Sequence, residues 1–251
     1  MVKFAITVVM VVGLSEVARR ANPRIAGILV GLPLGAGLSA YFFTLERGVE
    51  FTLAAVPWGI AGLSASIVFS LAYLLAGRLV RLPGRVLPVA ASSIAAIAAY
   101  FATGRFFRLF ALTTGVSASI TAVMMVANIA VIRKLGLPPN KGGSKPMGLG
   151  VVIFRAVVGG LTVATVTSLA GVVGAGWSGI MSAFPAMLFP ILLVLHFEEG
   201  DRLYPGVIEG FGYGIGNLVI FYVLLSFLLP RLGLNLSDRK STRLNSSHGK
   251  L

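Results

Sequence analysis

Arg155 and Glu209 are the residues of this chain best suited to carry chemistry, because both sit inside apolar sequence. Each lies about two helical turns inside its segment. A lone charge in a bilayer costs about 2.5–3.5 kcal/mol or more, so mutual pairing at equal depth is one way to lower that cost. His196, Glu16 and Tyr213 fall near the same level, and Asn128 and Asn217 add polar groups in mid-segment. Together these residues could bind an anionic or zwitterionic solute through Arg155, with Glu209 or His196 exchanging protons and Tyr213 and Asn217 completing the site. A plainer arrangement has Arg155 snorkelling to the headgroups and Glu16 pairing with Arg19 or Arg20. The asparagines would then simply hydrogen-bond across helices.

A second group of candidates is conformational. Gly27, Gly31 and Gly35 are four apart, with Pro33 and Gly37 interleaved, and Gly179, Ala183, Pro185 and Pro190 repeat the idea later. Glycine four apart lets another backbone approach closely. Proline removes a backbone hydrogen bond and frees a carbonyl. Paired Gly/Pro-interrupted spans in two halves of a chain point to a transporter site, which makes Pro33, Gly35 and Pro185 substrate-binding candidates. Tight packing is the alternative, and it is the reading for the Gly206, Gly210 and Gly214 strip. Glu46 and Glu198 each precede a glycine by two positions, the pattern of a helix stopped at Gly48 or Gly200. Either carboxylate could couple a cation, or lie in a solvated turn.

Other chemistries are excluded. The chain has no cysteine and two histidines, so it offers no thiolate nucleophile, no disulfide and no zinc site. Gly142-Gly143-Ser144-Lys145 lacks P-loop spacing, no nucleophile–base set marks an enzyme, and no cofactor is implied.

The elements that must position these residues are membrane helices. Apolar residues make up 57% of the 251 positions and charged residues only 12%, with a mean hydropathy of +0.93. A soluble domain carries about a quarter charged residues. The fold class is therefore all-α, a polytopic membrane helix bundle. Eight segments approach spanning length, near 4–18, 25–45, 51–77, 86–104, 109–132, 149–171, 177–197 and 204–229. None alternates like a barrel strand.

Gly27, Ile28, Pro33, Glu46, Gly48, Gly62 and Phe69 recur without a gap 152 positions later, as Gly179, Ile180, Pro185, Glu198, Gly200, Gly214 and Phe221. This pairs the first three segments with the last three and shifts by five helices, an odd number. The second copy would then cross from the opposite face, an inverted repeat. The offset implies ten helices, of which eight are visible. The domains so read are 1–135 (five helices), a linker at 136–148, and 149–237 (three helices of a second repeat). Residues 238–251 form a tail whose Asp238-to-His248 stretch resembles a sequencing-library adapter translated in one frame. That tail carries four Lys/Arg and one Asp, so without it the net charge falls from +13 to +10.

Eleven Lys/Arg, among them Arg78, Arg85, Arg133 and Arg202, fall on one face, against five on the other, including Arg47, Arg105 and Arg108. The richer face is expected to be cytoplasmic, which puts the N-terminus outside. Positive charge in short juxtamembrane loops suits anionic lipid, not nucleic acid.

The five-plus-five inverted plan resembles that of the drug/metabolite transporter superfamily, in topology alone, although that superfamily usually starts inside. Ile25-Ala26-Gly27, Pro33 and Glu46-Arg47-Gly48-Val49-Glu50 resemble the GlpM family of small bacterial inner-membrane proteins, over the second and third segments only. In the second copy Glu199 replaces Arg47 and Asp201 replaces Val49. The resemblance implies a bacterial inner membrane and no particular substrate. The expected function is a secondary transporter of a small metabolite, with a non-transporting scaffold for envelope biosynthesis as the alternative. Its partners would be the lipid bilayer, a small-molecule substrate and, compatibly, a second copy in a homodimer.

Overall fold

A computed structural model describes Val9, Ile28 and residues 31–79, 83–135 and 149–248, with the side chains at 149, 151, 152, 155, 156, 159 and 232–248 outside that description. The expected first segment, 4–18, and the linker 136–148 therefore lie almost wholly outside the described residues.

Among the described residues the protein is all-helical, with seven α-helices. These are α1 (Leu34–Arg47), α2 (Val49–Leu79), α3 (Val86–Phe107), α4 (Thr114–Lys134), α5 (Leu149–Ser182), α6 (Leu188–Glu199) and α7 (Tyr204–His248), with a 3₁₀ turn at Gly200–Arg202 before α7. Five stretches are long and apolar enough to cross a membrane: α2, α3, α4, Gly160–Ser182 of α5 and Tyr204–Arg231 of α7. The molecule is a multi-pass membrane protein.

Local chemistry sets the boundaries. Thr113 accepts a hydrogen bond from Val116 N, so α4 starts at Thr114 rather than near 109. The expected loop between 171 and 177 is instead a single non-helical residue, Gly174 (φ 74°, ψ 171°), and helix resumes to Ser182. Only glycine adopts this backbone without strain. Gly48 (φ 89°) and Gly200 (φ 59°) end α1 and α6, as the Glu-x-Gly pattern anticipates.

α2 is the central element and packs on α1, α3, α4, α5 and α7. In a membrane the lipid is as apolar as leucine, so close packing and hydrogen bonds, not hydrophobic burial, hold helices together. The α2 sequence supplies both. Gly59 admits the Tyr222 ring, Gly62 admits the backbone of Ile180, and Gly77 admits Tyr204. Ser64 and Thr121 share a buried hydrogen bond of 2.9 Å, and Thr121 also donates to the Ile60 carbonyl at 2.9 Å. These bonds tie α2 to α4.

Candidate functional site

Two short breaks, at Gly31–Pro33 before α1 and at Ala183–Met187 before α6, interrupt the helical path. Both contain the prolines marked in the sequence, and their hydrogen bonds coincide at the 152-residue offset. Gly31 N donates to Ile28 O at 3.0 Å, and Ala183 N to Ile180 O at 3.0 Å. Leu34 N donates to Leu32 O at 2.8 Å, and Ala186 N to Phe184 O at 2.7 Å. Gly37 N donates to Pro33 O at 2.7 Å, and Phe189 N to Pro185 O at 2.9 Å. Irregular backbone at membrane depth is tolerated only where protein buries it or water reaches it.

The breaks pack on each other's helices reciprocally. A Cβ on Gly62 would lie 2.8 Å from Ile180 O and 2.9 Å from Ala183 Cβ. A Cβ on Gly214 would lie 2.9 Å from Ile28 O and 2.9 Å from Gly31 Cα. Each residue in the first contact is the 152-shifted counterpart of one in the second. The aromatic neighbours follow suit: Phe221 lies against Gly37, and Phe69 against Phe189 with ring centroids 5.6 Å apart.

A cavity of about 40 Å³ lies where the breaks meet, with Gly35, Pro185, Leu32, Phe184, Phe211 and Leu218 in its wall. Pro185 is buried and Pro33 half-buried at the adjoining turn. Carbonyls freed at the second break are bonded by side chains. Tyr100 OH donates to Ile180 O at 2.5 Å and Ser66 Oγ to Ala183 O at 2.6 Å. Sequence reasoning missed both, since an isolated serine and tyrosine in apolar helices carry no spacing signal.

The polar candidates are not gathered around this cavity. Tyr213 and Asn217 are exposed, and Tyr213 OH accepts from Arg133 at 3.4 Å. Tyr213 lies about 200° around α7 from the cavity-lining Phe211. Glu209 is half-buried on α7. Arg155 belongs to α5, but its side chain, like all of Glu16, lies outside the described residues. Asn128 is buried against Gly212, and among the described residues its amide has no hydrogen-bond partner.

His196 belongs to a different cluster. It is 6% exposed, stacks on Tyr204 at 4.5 Å, meets Tyr73 OH through Nδ1 at 3.2 Å, and approaches Asp201 through Nε2 at 3.7 Å. His196 and Asp201 line an open cleft of about 850 Å³ at the Gly77 end of α2. Gly48 lies at the other end of α2, about 40 Å away at 1.5 Å per residue. The matched turns at Glu46–Gly48 and Glu198–Gly200, all four terminal residues of which are solvent-accessible to some degree, thus sit at opposite ends of the central helix. At the Gly48 end, the Arg47 guanidinium packs on Gly171, and Arg108 covers the Trp58 ring at 4.5 Å while touching Gly176.

No protein-family model, curated protein or solved structure matches the chain.

Proposed function

We propose that this protein is a secondary transporter of a small metabolite, built of two inverted halves that alternate access around the paired helix breaks. The observation that carries the reading is the reciprocal contact: Gly62 against Ile180 and Ala183, Gly214 against Ile28 and Gly31. A twofold relation between halves generates such an exchange, whereas two unrelated hairpins packing by chance do not. Broken spans facing one another across the repeat interface are the hallmark of carrier sites, because freed backbone groups there can meet a solute. Further support is the placement of the two Glu-x-Gly turns at opposite ends of α2 and of an open cleft at its Gly77 end. In this reading Pro33, Gly35 and Pro185 line the route, and His196 exchanges protons at the open mouth. The membrane is the bacterial inner membrane.

The natural absence of cysteine allows a direct test. In sealed vesicles, Glu46→Cys and Glu198→Cys should react with an impermeant maleimide from opposite compartments. Labelling of both from one compartment ends the inverted arrangement. In proteoliposomes, uptake from a labelled metabolite mixture should follow an imposed proton gradient and lose that dependence in His196→Gln. Flux with unchanged gradient dependence removes His196 from the coupling.

A further inference from the structure

The large cleft is walled by opposite charges that do not meet. One wall is the end of α2 and the start of α3, where Arg78 and Arg85 lie. The other is the α6–α7 turn, with Glu198, Glu199 and Asp201 against a single Arg202, and so net acidic. Among the described residues no ion pair within 4.0 Å joins either arginine to any of these carboxylates. A space of about 850 Å³ separates the two walls. That volume falls among small-molecule sites, which span roughly 300–1,000 Å³.

Both walls are organised from behind. Arg78 is half-buried and donates through Nη1 to Leu135 O at 3.2 Å, which aims the guanidinium and leaves its other donors available. Asp201 Oδ1 accepts from Tyr204 OH at 3.1 Å and lies 3.7 Å from His196 Nε2, so the buried aromatic cluster anchors the acidic wall at Asp201. Guanidinium forks match carboxylate or phosphate, while Glu198 and Glu199 offer only acceptors, suited to an ammonium.

We propose that this cleft binds a small dipolar molecule, its carboxylate or phosphate on Arg78 and Arg85 and its ammonium on Glu198 and Glu199. A free phospho-amine and an ethanolamine-type lipid headgroup share this chemistry, and the site lies at the helix ends, within reach of either. Taking the ligand as cargo rests on the carrier reading; its binding does not, so the two fail separately.

The experiment is calorimetric titration of the full chain in choline-phospholipid nanodiscs with O-phosphoethanolamine, inorganic phosphate and ethanolamine. O-phosphoethanolamine should bind at least tenfold more tightly than either fragment. Arg85→Gln should weaken it at least tenfold, and Glu198→Gln should weaken it while leaving phosphate unchanged. Both side chains are exposed, so melting temperatures should match the parent. Equal affinity for phosphate and O-phosphoethanolamine, parent-like binding by both variants, or no binding overturns the proposal. In nanodiscs of ethanolamine phospholipid, suppression of the titration identifies the headgroup as the source of the ligand, and an unchanged titration identifies the soluble molecule.

Discussion

The two helix breaks share a backbone and differ in what holds it. At each, the same three main-chain hydrogen bonds form, within 0.2 Å of one another in length. At the second break, Tyr100 and Ser66 also bond the carbonyls of Ile180 and Ala183. At the first, the position matching Ser66 is Leu218, and among the described residues no side chain donates to Ile28 or Gly31. Gly and Pro thus suffice to shape a break, while hydroxyls from neighbouring helices decide how firmly it is held.

The largest effect should come from filling the reciprocal contacts. Gly62→Ala and Gly214→Ala each push a methyl onto backbone atoms under 3 Å away, which cannot swing aside. Each should destabilise the detergent-solubilised protein by about 3 kcal/mol, the upper end for overpacking. Gly35→Ala meets nothing within 4 Å and should be neutral or stabilising by about 0.5–1 kcal/mol. Thermal denaturation that ranks Gly35→Ala with the other two would break the equivalence between the breaks.

Next come the hydroxyls. Ser66→Ala leaves the buried Ala183 carbonyl short of a donor, a loss of about 1–3 kcal/mol, and Tyr100→Phe, which leaves Ile180 O its bond from Ala183 N, costs about 0.5–1.5 kcal/mol. Hydrogen exchange sharpens the comparison: amides of Ala186 and Phe189 should exchange faster, those of Leu34 and Gly37 at the parent rate. Equal acceleration at both breaks would mean that they do not open independently. The smallest effect concerns the Gly48 end of α2. Arg108→Lys keeps the charge but loses the planar group over Trp58, at about 0.5–1 kcal/mol, visible as a change in tryptophan emission.

Much of the frame was legible in the residues. Pro33, Pro185, Gly48 and Gly200 were marked as breaks and stops because backbone rules act locally, and they fall where those rules put them. Gly174 was legible only as a boundary: a glycine reads alike in a loop and in a kink within one helix. The line Glu209, Tyr213, Asn217 follows helical spacing, yet α7 is otherwise almost wholly apolar up to Arg231, so periodicity could not say whether that line or the opposite side meets the core. Arg78, Arg85 and Arg202 registered only as topological charge, since their role depends on which turns the fold brings opposite one another.

The Ile180 carbonyl takes two donors, the amide of Ala183 and the phenol of Tyr100. Double acceptance lengthens a C=O bond and softens its stretch, so isotope-edited infrared spectroscopy would find this one amide at unusually low frequency. A carbon-13, oxygen-18 label there becomes a vibrational gauge of whether the second break stays shut while the molecule works.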